Sequence, residues 1–138
     1  MKEYVTFELA NKLCEKGFPQ VMSSDKSYFV GDKNIKYKFI KNGLMVNKSK
    51  TEDDNFLISC PSVEQVITWL RTTYGIHILI DFFKCNGDTK LCWIYKIRYI
   101  KDDNTEDMMT HHNYDSFENA RIASIEYILG KLEDFETV

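Results

Sequence analysis

Residues 76 to 99 read IHILIDFFKCNGDTKLCWIYKIRY, two alternating apolar runs on either side of a turn signal. In the first run Ile76, Ile78, Ile80 and Phe82 alternate with His77, Leu79, Asp81 and Phe83; in the second, Leu91, Trp93, Tyr95, Ile97 and Tyr99 alternate with Cys92, Ile94, Lys96 and Arg98. A period of two places one set of side chains on one face of a strand. Asn86-Gly87 lies between the runs, and this pair suits a two-residue turn because both central residues need positive φ. A turn centred there predicts Ile76 opposite Ile97, Ile78 opposite Tyr95, Ile80 opposite Trp93 and Phe82 opposite Leu91.

The segments on both sides of this hairpin are helical in pattern. Ser62-Val63-Glu64-Gln65 fits a capping box, and Val63, Val66, Ile67, Leu70 and Tyr74 follow at helical spacing before Gly75. Beyond the hairpin, Asp102-Asp103-Asn104-Thr105 reads as a turn and Glu106 to Asn113 as a third strand. Asp115 or Ser116 then caps a helix to about Leu132, with Phe117, Ile125, Ile128, Leu129 and Leu132 as its apolar stripe and Ala120 and Ala123 on the margin. The tail from Glu133 to Val138 is expected to fray. Helices at about 62 to 74 and 116 to 132 should cover the Ile76/Trp93 face. The fold class is therefore α+β, a two-layer, three-stranded antiparallel sheet covered by helices. Its α-β-β-β-α order resembles double-stranded-RNA-binding domains.

The N-terminal portion is less regular. Thr6 can cap a helix to about Lys16, with Leu9, Ala10, Leu13 and Cys14 on one face, Gly17 as a left-handed stop and Phe18 folding back on the last turn. Strand-like pieces follow at 28 to 30, at Ile35, Tyr37 and Phe39, and at 44 to 46, with a hairpin expected at Asn42-Gly43. Residues 47 to 55 read as a loop and Phe56-Leu57-Ile58 as a short strand.

With 138 residues, 43% of them apolar and 14% aromatic, the chain can bury a core without disulfides and is expected to form a single domain, 1–138, with its core at about 60–132. It has no apolar run near the roughly 20 residues of a membrane span, and its start has no signal-peptide core. A soluble, cytoplasmic protein is expected. Cys14, Cys60, Cys85 and Cys92 have no close metal-ligand spacing, and the turn register sets Cys92 opposite Asp81, so free and mostly buried thiols are expected rather than a hairpin disulfide.

Charge is uneven along the chain. Residues 1 to 60 hold ten Lys against eight acids, for +2, and residues 61 to 138 hold eight Lys or Arg against thirteen acids, for −5. Six lysines occur between Lys33 and Lys50 with no acid among them. Lys36, Lys38, Lys41, Lys48 and Lys50, with Tyr37 and Phe39, form the only candidate for a nucleic-acid contact. Lysines on the wet side of an edge strand also prevent sheets from sticking together, and that plainer role is preferred.

Three stretches, LANKLCEKGF, CPSVEQVITWLRTTYGIHI and YDSFENARIASIEYIL, resemble a group of small uncharacterised proteins of Bacteroides-type bacteria and their phages. The matching positions are Pro61, Ser62, Trp69, Leu70, Arg71, Ile76, His77, Ile78, Trp93, Tyr95, Tyr114, Ser116 and Ala120. The chain departs from that pattern at Asp115 to Asn119, where a more acidic, alanine-rich start is usual, and in its long lysine-rich insert at 33 to 55. The resemblance implies one globular α+β domain and no activity.

Sites for chemistry are sparse. No GxSxG, phosphate-binding loop, dinucleotide glycine pattern or HExxH occurs, so no catalytic residue, cofactor or metal is assigned. His77 is the most tempting single residue, with packing or a satisfied hydrogen bond preferred to catalysis; for a small-molecule site, His77 and Trp93 are the first candidates, one titratable near neutral pH and the other a stacking surface. His111 and His112 are adjacent on a strand and should point to opposite faces. Asp102, Asp103, Glu106 and Asp107 lack the spacing and glycine of a calcium loop. The expected function is that of a non-enzymatic accessory protein acting through a protein partner or as a homo-oligomer. The candidate partner surface is Leu79, Phe83, Ile94 and Ile100, on the sheet face that helices cannot also cover.

Overall fold

The computed structural model describes residues 4–20, 28–31, 37–40, 56–85, 90–110 and 112–137. The chain divides into two compact units, Met1–Val66 and Ile67–Val138. Helix α1 (Phe7–Glu15), strands β1 (Tyr28–Gly31), β2 (Tyr37–Ile40) and β3 (Phe56–Ser59) belong to the first, helix α2 (Val63–Tyr74) begins in it, and β4 (His77–Lys84), β5 (Leu91–Lys101), β6 (Asn104–Met109) and α3 (Phe117–Gly130) belong to the second. The protein is thus mixed α+β, with a three-stranded antiparallel sheet in its C-terminal part.

Local chemistry accounts for the helix ends. The Thr6 hydroxyl accepts from Leu9 N, and α1 stops in a paired cap in which Phe18 N donates to Leu13 O and Gly17 N to Cys14 O, with Gly17 at φ 93°. The capping box of α2 is complete: Gln65 N donates to Ser62 Oγ at 3.2 Å and Ser62 N to Gln65 Oε1 at 2.8 Å. At α3 the cap is Ser116, which accepts from Asn119 N at 3.0 Å. Each of these satisfies helix-end groups that would otherwise lack partners.

In the first unit β1 is central, antiparallel to both β2 and β3. Leu9, Ala10 and Leu13 of α1 are buried, and α1 packs on β3. Val5 N donates to Pro61 O, and the buried Cys60 thiol donates to Val5 O at 3.5 Å. Burial pushes the Cys60 thiol up to about 12, which leaves it without a nucleophilic thiolate near neutral pH. Residues 44 to 46 and the Asn42-Gly43 turn lie outside the described residues.

In the second unit β5 is central between β4 and β6. The β4–β5 register differs from the one the turn signal suggested: Ile78 faces Ile97, Ile80 faces Tyr95 and Phe82 faces Trp93. Cys85 N donates to Lys90 O, so the ladder extends to that pair, and residues 86–89, with the Asn86-Gly87 turn, lie outside the described residues. A shift of two residues preserves side-chain parity, which is why the faces are as expected while every pair is displaced. It also puts Cys92 opposite Phe83 and diagonal to Cys85 on the same face. Contrary to the expectation of free thiols, Cys85 and Cys92 form a disulfide, with Cα atoms 5.8 Å apart.

Helix α3 lies on the Ile78/Trp93 face. Trp93 meets Phe117 edge-on, Tyr95 meets Tyr127, and Ile97, Ala120, Ile125, Ile128 and Leu129 are fully buried or nearly so. The Tyr95 hydroxyl is raised above its usual range mainly by burial, an effect that the hydrogen bond with Thr110 opposes. At the β5–β6 turn Asp102 and Asp103 both take positive φ, 51° and 67°, and Lys101 pairs with Asn104. This is a two-residue hairpin built without glycine.

Two further features depart from the sequence reading. The third strand ends at Met109, Thr110 N donates to Tyr95 O, and the ladder resumes at Tyr114 opposite Trp93, two residues out of step. The chain therefore bulges between Thr110 and Tyr114. The tail does not fray at Glu133: a 3-10 turn spans Leu132–Asp134, Phe135 is buried, and Asp102 N donates to Glu136 Oε1.

The four cysteines now have distinct reactivities. Cys14 is half-buried, Cys60 is buried, and the other two are paired. Iodoacetamide on the native, unreduced protein should add one alkyl group, at Cys14, as read by intact mass and peptide mapping; a second adduct at Cys60 would contradict its burial.

Candidate interaction surface

The β4–β5–β6 face opposite α3 carries cross-strand rows set by the two ladders: His77, Arg98 and Asp107; Leu79, Lys96 and Met109; Asp81 and Ile94; Phe83 and Cys92; Ile100 and Thr105. Leu79 is 44% exposed, Phe83 44%, Ile100 45% and Met109 51%. Ile94 is half-buried between these neighbours. The sheet thus places the four candidate partner residues on one face, with Ile100 two rows beyond Leu79. Met109 joins them because β6 pairs Lys96 with it, a neighbour that the strand alternation alone does not reveal.

Leu79, Ile80, Asp81, Ile94, Lys96 and Met109 line a cavity of about 220 Å³. Small-molecule pockets are usually about 300 Å³ or larger and enclose most of the ligand. A cavity of this size fits a protruding side chain better than a cofactor.

Arg98 and Asp107 form a two-pronged ion pair, Nε to Oδ1 at 2.8 Å and an Nη to Oδ2 at 3.1 Å. The hydrogen bonds that Arg98 donates to the Asp107 carboxylate hold that carboxyl below its usual range and raise the guanidinium above its own. Both side chains are exposed, so the pair contributes register more than stability.

His77 is exposed on this outer face, directly across from Arg98. Trp93 lies on the α3 face between Phe82 and Phe117. His77 and Trp93 therefore occupy opposite sides of the sheet and cannot share a site. His77 is therefore not packed in the core, one of the two plain roles preferred for it. His112 is exposed beside the bulge, and its backbone N donates to Thr110 Oγ1; His111 lies outside the described residues. Among the described residues no group of three or more His, Cys, Asp or Glu could hold a metal ion.

Of the residues considered for nucleic acid, Lys36, Lys41, Lys48 and Lys50 lie outside the described residues. Tyr37, Lys38 and Phe39 are on β2, paired with Gly31, Val30 and Phe29. Comparison with protein-family models, curated proteins and solved structures found no match for the chain. Among the described residues no helix is long and apolar enough to cross a membrane.

Proposed function

We propose that this is a non-enzymatic accessory protein that works by protein–protein contact, and that the partner is a second copy of the chain. The carrying observation is the exposed apolar surface of the β4–β6 sheet on the face opposite α3, where Leu79, Phe83, Ile100 and Met109 face solvent. Exposure of several large apolar side chains on one small sheet is costly unless something covers them. The charges favour a copy of the same surface: on this face Lys96 stands diagonal to Asp81, and Arg98 is paired with Asp107. A surface with balanced charges around an apolar centre is complementary to itself under a two-fold axis.

The order α2, β4, β5, β6, α3 supports the double-stranded-RNA-binding-domain-like reading of the topology. It does not extend to RNA, because the first turn of α3 holds Glu118 where such a helix would need phosphate-binding cations. Kinship with the bacterial and phage group, and a cytoplasmic location, belong to the same proposal and rest on the sequence features alone.

Light scattering over a wide concentration range tests the reading. Mass should rise toward twice that of the chain, and Leu79→Glu, which puts a second carboxylate beside Asp81 on the exposed surface, should raise the dimer Kd at least tenfold. A strict monomer at every concentration, or a variant that associates as the wild type does, overturns it.

A further inference from the structure

Resting on the self-association reading, we infer that the two copies join edge to edge through β4, in antiparallel pairing about Ile80, to make one continuous six-stranded sheet. The free edge of β4 comes from the order β4-β5-β6, since β4 has no strand on its other side among the described residues. Antiparallel ladders alternate between residues bonded to the neighbour and residues whose N–H and C=O point away. Because Cys85 N donates to Lys90 O, Cys85, Phe83, Asp81, Leu79 and His77 point toward β5. Ile78, Ile80, Phe82 and Lys84 consequently present their backbone groups outward. One hydrogen bond agrees with this assignment: Phe82 N, an outward donor, is taken by the carboxylate of its own neighbour, Asp81 Oδ1, at 2.8 Å.

The two edges of the sheet are treated differently. The β6 edge carries Glu106 and Asp107 and begins at a turn with Asp102 and Asp103, the kind of like-charge guard that keeps sheet edges apart. The β4 edge, HILIDFFK, has no net charge apart from its histidine, no Pro or Gly, and apolar side chains on both faces. Pairing β4 with β4 consumes both unguarded edges and leaves an acidic β6 edge at each end. A β4-to-β6 arrangement would instead be head-to-tail and open-ended.

Register follows from symmetry and charge. A two-fold axis normal to the sheet requires residues of the same face to oppose each other. Centring on Asp81 would set two carboxylates directly opposite, whereas centring on Ile80 sets Ile80 against Ile80 of the second copy, Ile78 against Phe82, and Asp81 against Leu79. In that register Phe82 N exchanges the Asp81 carboxylate for Ile78 O of the other copy.

The full-length protein tests this through three variants and amide exchange. Phe82→Pro removes an outward donor without touching the β5 ladder and, since symmetry repeats the loss, should raise the dimer Kd at least tenfold. Asp81→Ala removes the internal competitor for that donor and should lower Kd several-fold. Glu106→Gln, on the far edge of the sheet, should leave Kd unchanged. In the wild type the amides of Ile78, Ile80 and Phe82 should become protected as concentration rises through Kd. A dimer that forms without protecting those amides, or one that survives Phe82→Pro and is indifferent to Asp81→Ala, overturns the edge geometry in favour of face-to-face packing. A wild type that never dimerises overturns the self-association reading itself.

Discussion

Phe135→Ala should lower the stability of the C-terminal unit by about 3 kcal/mol, the usual cost of removing a buried phenyl ring and leaving its cavity. Phe135 is 8% exposed, stands edge-on to Tyr99 at 5.0 Å between ring centroids, and follows the buried Leu132 by one 3-10 turn. Its neighbour Glu136 accepts the Asp102 amide at 3.0 Å, so the tail also secures a turn in which two aspartates hold positive φ. Loss of the ring should release both contacts. Urea titration should show a lower midpoint with an unchanged slope. A shift worth less than about 1 kcal/mol would mean that the tail does not dock in solution.

Features set by a few neighbouring residues were legible in the sequence, and features set by the length of a connection were not. Thr6, Gly17, Ser62 with Gln65, and Ser116 act within one helical turn, so residue type and spacing suffice to place them. The strand faces were legible for the same reason, since alternation reports parity. It cannot distinguish a register from another shifted by two, and Asn86-Gly87 suggested the shorter connection. The disulfide was missed as a direct consequence, because Cys85 and Cys92 become neighbours only in the observed register.

The candidate surface shows the same division. Leu79, Phe83, Ile94 and Ile100 share a face by parity, and the structure keeps them there. Met109 enters through the β5–β6 register, which alternation along β4 and β5 does not report. Phe135 was a lone apolar residue in a polar tail. Its spacing of three from Leu132 was the one signal that it returns to the core.

Opening the Cys85–Cys92 bridge should cost about 2 kcal/mol, the second large effect expected here. The bridge joins residues seven apart in sequence across the end of the β4–β5 hairpin, and both half-cystines are almost fully buried. Closing so short a loop restricts the unfolded chain by an amount that the loop-entropy relation puts at roughly 2.5 kcal/mol, and engineered and native bridges commonly deliver somewhat less. A thiol reductant should therefore lower the urea midpoint of the wild type, while Cys92→Ser should begin at the lower value and not respond. If reductant left the wild-type midpoint unchanged, the bridge would contribute nothing in solution. The same equilibrium connects stability to location, because a reducing cytoplasm would hold the pair as two thiols and an oxidising compartment would close it. A cytoplasmic form must therefore keep its hairpin by the ladder and the α3 contacts alone.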